Sequence, residues 1–225
     1  MDGNGRWAKK RLMPRTAGHA AGAKVIEPVL KYLREVGVHH VTLYAFSTEN
    51  WKRPKEEVDA IMEMGCKYID EVVVKKIESD PEFSIRFLGD KSRLPEYLRK
   101  RCIEVEKLTE NRPFVCSIAL NYGGRDDIVY AVNRAIADGC SPITEADISE
   151  RLYTHPSPDP DLIIRTGGDL RISNFLIWQA AYSELYVTDK LWPDIKPNDI
   201  ECALREFYKR KRRFGGLDTN KKTSI

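Results

Sequence analysis

The chain has 225 residues, 42% hydrophobic and 32% charged, with a net charge of +3. That length sustains one well-buried core, and the composition excludes a disordered chain. The charge is too small to argue for a nucleic-acid partner, and no apolar run approaches the ~20 residues of a membrane span. The cysteines, Cys66, Cys102, Cys116, Cys140 and Cys202, are scattered without a CxxC pair. They fit reduced thiols of a cytoplasmic protein and give no support for a zinc site. No signal peptide is evident.

The chain opens on Met-Asp-Gly-Asn-Gly-Arg-Trp. Gly3 and Gly5 let backbone amides turn toward one point, and such a nest binds anions, phosphate above all. The Asp2 carboxylate beside it suits Mg²⁺, which takes one or two carboxylates plus substrate phosphate oxygens. The same residues also suit a tight Asx/Gly turn. Residues ~19–36 carry Val25, Ile26, Val29, Leu30, Leu33 and Val36 at helical spacing, with Pro28 as a kink or a late start. His40–Phe46 reads as a buried strand. Pro54, Glu56 and Glu57 mark a first helical turn, and that helix runs to ~79. A strand at Phe83–Leu88, a helix over ~94–110, a strand at Phe114–Leu120 and a helix over ~125–138 follow. Thr144 caps a weak helical start. Leu162–Arg165 is a short strand, and ~198–213 forms a final basic helix.

Strands alternating with helices predict an α/β fold with a central, mostly parallel sheet covered on both faces, in one domain spanning 1–225. Ligands in such sheets bind beyond the carboxyl ends of the strands. Polar clusters follow three strands, at Ser47–Arg53, Asn121–Arg125 and Arg165–Ser173. Asp2 has no strand before it, although the alternation expects one.

Arg165, Arg171 and Ser173 surround a Gly-Gly turn and can grip a diphosphate, or form a salt-bridged loop. Ser47, Thr48, Glu49, Asn50 and Arg53 can orient a proton or a phosphate, or cap the helix beginning near Pro54. His19 near Arg15 is a structural histidine or a phosphate contact. Glu184 lies among Trp178, Tyr182, Leu185 and Tyr186, so it requires a cationic or metal partner. The basic run Lys209–Arg213 is a solvated face, or a contact for anionic lipid or nucleic acid.

Six segments in order carry a resemblance: 1–8, 14–19, 44–54, 121–125, 161–175 and 191–194, the last reading Leu-Trp-Pro-Asp. Together they resemble the cis-prenyltransferase family over nearly the whole chain. The resemblance implies a homodimer with a hydrophobic tunnel beside the sheet. It implies condensation of isopentenyl diphosphate onto an allylic diphosphate, farnesyl diphosphate, with Mg²⁺ as cofactor. The product implied is undecaprenyl diphosphate, a cell-wall lipid carrier, released at the membrane surface by a cytoplasmic enzyme without a nucleic-acid partner. A shorter product, a non-catalytic partner subunit of the same fold, and an RNA-binding protein are the alternatives.

By position, the resemblance makes Asp2 the metal-binding catalytic carboxylate and Glu184 the second metal position. Gly3, Asn4, Gly5, Arg6, Arg15 and His19 would cradle the allylic diphosphate, with Trp7 beside its hydrocarbon. Asn50 would handle the proton, flanked by Ser47, Thr48 and Glu49, and Trp51 and Arg53 would complete the allylic pocket. Arg165, Arg171, Ile172 and Ser173 would hold isopentenyl diphosphate. Ile61, Met64 and Gly65 would line the tunnel, and Arg213-Phe214-Gly215 would reach the partner subunit. Two departures stand out: no strand precedes Asp2, and Asp169-Leu170 replaces the Glu-His of some members.

Overall fold

Residues of alternating helical and strand character build parallel strands packed against helices. The computed structural model describes residues 1–210. Helix α1 (Asn4–Lys10) leads into α2 (Arg15–Glu35) and β1 (His40–Ser47). Helix α3 (Lys55–Tyr68) passes through a π-helical segment, Ile69–Val73, into α4 (Val74–Ser79). Strand β2 (Phe83–Leu88), α5 (Glu96–Leu108), β3 (Phe114–Tyr122), α6 (Gly124–Ala137) and the short α7 (Glu145–Ser149) follow. Strands β4 (Leu162–Thr166) and β5 (Glu184–Thr188) precede α8 (Pro197–Lys209). Thr144 does cap α7, its hydroxyl accepting from the Asp147 N–H.

All strand pairs are parallel. One sheet has the order β1-β3-β2, and a second pairs β4 with β5. Among the described residues the two sheets share no ladder. Strands β1 and β4 both line one large cleft of about 900 Å³. Among the described residues no strand lies between them, where the alternation expects one ahead of Asp2.

Apolar spacing explains how the helices dock. Val25, Val29 and Leu33 form one buried stripe of α2, which packs on Trp192, Ile195 and Ile200. Pro28 sits within α2, and the helix continues through it. Val58, Met62, Ile69 and Val73 present the buried stripe of the α3–π–α4 rod to Leu43, Phe46, Ile85, Leu98 and Val105. At ~25 cal/mol per Å², burial of such side chains is the main favourable term in folding.

A smaller cavity of about 80 Å³ lies between α2 and the helical rod, lined by Ile26, Leu30, Tyr68, Val72, Ile85 and Cys116 among others. Gly65 is not among its lining residues. A Cβ built on Gly65 would meet the Leu98 methyls of α5 at 4.0 Å. On that side Gly65 faces a neighbouring helix at ordinary contact distance, the close-packing alternative to tunnel space.

Two elements have no counterpart in the sequence pattern. Helix α1 buries only Ala8, so it carries no apolar stripe to read. Strand β5 is partly exposed at every position and so lacks the alternation of a half-buried strand.

Asp127 fastens the second half of the fold. Its fully buried carboxylate accepts from the Tyr122 hydroxyl at 2.8 Å, the Gln179 side-chain amide at 3.0 Å and the Tyr153 N–H at 2.9 Å. Replacing Asp127 by Ala leaves these donors buried and unpaired, at a cost of about 2–3 kcal/mol. Thermal unfolding should show Tm lowered by roughly 5–10 °C. An unchanged Tm would contradict the role given to this carboxylate.

Candidate active site

The amino-terminal turn sits at the carboxyl end of β4. The Asp2 N–H donates to Thr166 Oγ1 at 2.9 Å, and the Thr166 hydroxyl donates to the Asp2 carbonyl at 2.8 Å. The Trp192 N–H donates to the same carbonyl at 2.9 Å. Gly3 follows with φ of 108°, and a Cβ there would lie 2.8 Å from Leu191 Cδ2. Only glycine meets both constraints. Gly18 is equally specific: a Cβ there would lie 2.1 Å from the Asn4 carbonyl oxygen, so α2 can approach the turn only without a side chain.

Cations converge on this turn in two groups. In the first, Arg165 Nη2 is 3.0 Å from Asp2 Oδ2, and Arg6 Nη2 is 3.3 Å from Asp2 Oδ1. Arg165 also donates to Ser173 Oγ at 2.7 Å and to the Arg171 carbonyl. Its buried Nε has no partner among the described residues. Arg6 donates to the Gly167 carbonyl at 2.7 Å, and Asp169 bridges Arg6 at 3.3 Å and Arg171 at 2.9 Å. In the second group, Glu57 is contacted by Arg15 at 3.1 Å, Arg53 at 3.1 Å and His19 at 3.5 Å.

These arrangements set the charge states. Burial opposes ionisation of Asp2, but the Arg165 hydrogen bond and the Arg6 charge outweigh it and hold its carboxyl below the usual range. Burial likewise opposes ionisation of Glu57, and the Arg15 and Arg53 charges overcome it. Burial lowers His19 below the ordinary 6.5, partly offset by the Glu57 contact, so the imidazole is mostly neutral at pH 7.

Most of the expected site residues line the one cleft: Asp2, Gly3, Asn4, Gly5, Arg6, Arg15 and His19 from the first two segments, and Ser47, Glu49, Asn50 and Arg53 after β1. Arg165, Arg171, Ile172 and Ser173 line its other side. Asn50 is oriented by the Ser47 N–H, which donates to its Oδ1 at 3.2 Å. The capping and functional readings of this segment thus coexist. Glu49 accepts from the Asn174 amide at 2.9 Å.

Four expected residues lie elsewhere. Trp7 donates to Asp194 at 2.7 Å and carries Arg11 over its ring at 4.0 Å. Thr48 faces Asp126 of α6 at 3.3 Å. Trp51 donates to Asn121 at 2.7 Å and packs edge-on against Phe46, so it braces the site from behind. Glu184 pairs across the ladder with Leu162, whereas Asp2 is fixed to Thr166. Four residues of strand, about 13 Å, separate the two positions. Glu184 instead pairs with Arg210 at 3.0 Å, so within one chain it does not join Asp2 at a metal. Arg213-Phe214-Gly215 lies outside the described residues.

The sequence reading gave no role to Glu57, Thr166 and Asp169. Glu57 reads as a helix-start acid and Thr166 as a strand end. Only the three-dimensional meeting of their partners reveals them. A signal was present in the excess of arginines over assigned carboxylates.

The donor set fits Mg²⁺ in a limited way. The Asp2 carboxylate is 40% exposed toward the cleft. Among the described residues no three His, Cys, Asp or Glu side chains gather into a metal cage. One carboxylate with substrate phosphate oxygens is the usual Mg²⁺ environment.

Comparison with known proteins shows the family of the chain. A family model described as putative undecaprenyl diphosphate synthase matches residues 1–215. An isoprenyl transferase of Fusobacterium nucleatum is 50% identical over 218 residues, covering 96% of this chain and 94% of the relative. One from Chromobacterium violaceum is 49% identical, covering 96% of this chain and 85% of the relative. The crystal structure of lavandulyl diphosphate synthase from Lavandula x intermedia, in complex with dimethylallyl diphosphate, superposes with a TM-score of 0.91. It is 34% identical and covers 96% of this chain and 95% of that one. A probable undecaprenyl diphosphate synthase from Campylobacter jejuni superposes with a TM-score of 0.79 at 34% identity, covering 87% and 92% of the two chains. The carboxylate framed by two cation groups is this cleft's candidate site, and the matches over nearly the whole length show that the chain belongs to the undecaprenyl diphosphate synthase family of isoprenyl transferases.

Proposed function

We propose that this prenyltransferase condenses isopentenyl diphosphate onto farnesyl diphosphate, repeatedly and with cis geometry, to give undecaprenyl diphosphate. The observation that carries the reading is the pair of cation groups flanking Asp2 in one cleft. Two diphosphates need two such cradles. The Arg15, Arg53 and His19 group, with the Gly3–Gly5 turn, takes the allylic diphosphate. Arg165, Arg171 and Ser173 take isopentenyl diphosphate. Family membership supports both substrate classes.

Cleavage of the allylic C–O bond leaves a diphosphate anion, and donors fixed at the developing charge are worth ~3–4 kcal/mol each. Arg15, Arg53 and the turn amides supply them. Mg²⁺, held by Asp2 and the phosphates, would add Lewis-acid neutralisation of that charge. The isopentenyl double bond attacks the allylic carbon, the new C–C bond replaces the C–O bond, and the proton then lost passes to the departing diphosphate, guided by Asn50, which Ser47 orients. The cleft walls at Leu43, Phe46 and Leu176 exclude water from the cation. We read the protein as a homodimer that meets the membrane surface when the product leaves.

A non-catalytic partner subunit is disfavoured, because Asp2, Asn50, Arg165 and Arg171 all line the cleft. A shorter product is the second reading, favoured by the small volume of the cavity between α2 and the helical rod. Incubation with labelled isopentenyl diphosphate, farnesyl diphosphate and Mg²⁺, followed by product sizing, decides between them. Chains of the bactoprenol length support the proposal, shorter chains favour the second reading, and no condensation overturns both.

Asp2→Ala should lower single-turnover condensation by on the order of 10²–10³ while the fold persists. Activity within tenfold of the parent would refute the assignment. Arg171→Ala removes a charge-assisted contact worth ~1.5–3 kcal/mol, so KM for isopentenyl diphosphate should rise about 10- to 100-fold. A larger rise for the allylic substrate would mean that the two cradles are reversed.

A further inference from the structure

Two residues of the proposed reaction are tied together through their chain neighbours. The Ser173 hydroxyl, in the isopentenyl cradle, accepts from Arg165 at 2.7 Å. The next residue, Asn174, donates its side-chain amide to the Glu49 carboxylate at 2.9 Å. Glu49 directly precedes Asn50. One hydrogen bond thus joins the loop after β4 to the turn after β1, across 125 positions of chain. Both partners line the cleft.

The other half of the Asn174 side chain is committed to the fold. Helix α6 starts after Gly123, which has no side chain to cap it. A Cβ on Gly123 would lie 2.6 Å from Asp126, 2.7 Å from Thr48 and 2.8 Å from Asn174, so a side chain there would displace all three. Asn174 supplies the cap from another segment. Its Oδ1 accepts from the Arg125 N–H at 2.9 Å, and its carbonyl accepts from the Gly124 N–H at 2.7 Å. These partners fix the amide, oxygen toward the helix and nitrogen toward Glu49. Ser173 and Asn174 have φ of 54° and 61°, and asparagine is among the few residues that take this left-handed region readily.

Glu49 is a charged acceptor. Burial opposes its ionisation, but its own N–H, the Asn174 amide and the Ser47 and Thr48 hydroxyls hold its carboxyl below the usual range. Three of those donors belong to its own turn and move with it. Asn174 is the donor that comes from the loop after β4, and a hydrogen bond to a charged group is the stronger kind.

We propose that Asn174 is a positioning residue that sets the isopentenyl cradle against Asn50 through its bond to Glu49. This rests on the reading of the cleft as two diphosphate cradles with Asn50 guiding the proton. Helix α6 is the common post, since Asn174 caps it and Thr48 reaches Asp126 on it at 3.3 Å. A relative shift of about an ångström between the two segments is enough to slow turnover roughly a hundredfold.

The test is a double-mutant cycle. Asn174→Asp keeps the acceptor that caps α6 and turns the donor into a carboxylate facing Glu49. Thermal unfolding should stay near the parent's, while kcat for condensation should fall about 10- to 100-fold with the KM values little changed. In a Glu49→Gln background the same change should cost little, because the glutamine amide then donates to the introduced aspartate. Equal losses in the two backgrounds overturn the proposal, as does Asn174→Asp with the parent's kcat. Should Asn174→Asp unfold, Asn174→Gly suits the left-handed backbone and is read against Glu49→Ala. A loss that vanishes in the Glu49→Ala background supports the bond, and equal losses overturn it.

Amide hydrogen exchange over 47–53 is read apart from turnover. The Ser47 N–H donates to Asn50 Oδ1 at 3.2 Å and the Arg53 N–H to the Asn50 carbonyl at 3.1 Å. Asn174→Asp should speed exchange there roughly tenfold, as loss of a hydrogen bond to a charged group would, and Glu49→Gln added to it should restore protection. Unchanged exchange overturns the bond as a restraint. Faster exchange with unaltered turnover sinks the positioning role alone. A parent that condenses nothing sinks the proposed function instead, whatever the exchange shows.

Discussion

A single threonine hydroxyl ties the amino-terminal turn to the sheet. Thr166 Oγ1 both accepts from the Asp2 N–H and donates to the Asp2 carbonyl. Because Thr166 ends β4, this pair of bonds sets the height of Asp2 above the carboxyl end of the sheet. Everything else at the turn depends on that height. Gly3 must bend with positive φ to clear Leu191, Asn4 must meet Gly18, and Arg165, the residue before Thr166, reaches Asp2 from the same strand. A turn free to slide by an ångström would lose the Arg165 contact and the α2 contact together.

The second constraint is electrostatic. Several arginines gathered around one cleft repel one another. The fold answers with internal carboxylates. Asp2 engages Arg165 and Arg6, Asp169 engages Arg6 and Arg171, and Glu57 engages Arg15, Arg53 and His19. Each acid holds its cations in place. In the proposed function each acid would also compete with a diphosphate, so that binding would require an exchange of partners. A metal on Asp2 would favour that exchange by drawing the carboxylate from Arg165 while bringing phosphate oxygens to the same place.

Much of the fold was legible because α/β chains state their period plainly. The buried stripe of α2, the strand at Phe83–Leu88 and the rod over 55–79 all appear where apolar spacing places them. The glycine turn and the arginine loops were legible because few structural demands produce such residue runs. What the sequence hid was relational. Trp51 and Trp7 look like substrate-side aromatics; each spends its N–H on an acceptor of the fold, Asn121 and Asp194, and neither is among the residues lining the cleft. The neighbour of Gly65, Leu98, is 33 positions away in the chain, so no local pattern names it. Glu57 looks like an ordinary helix-start acid; Arg53 is its i,i+4 neighbour, but Arg15 and His19 come from α2, which no local pattern joins to it.

The account turns on Asp2 exchanging an arginine for a metal when diphosphate arrives. Calorimetric titration of inorganic diphosphate, with Mg²⁺ and with a chelator, measures this directly in the parent and in Asp2→Asn. The account predicts that Mg²⁺ tightens binding to the parent and does little for the variant. It also predicts that the variant binds metal-free diphosphate more tightly than the parent, because a competing carboxylate is gone. An equal gain from Mg²⁺ in both proteins would contradict it.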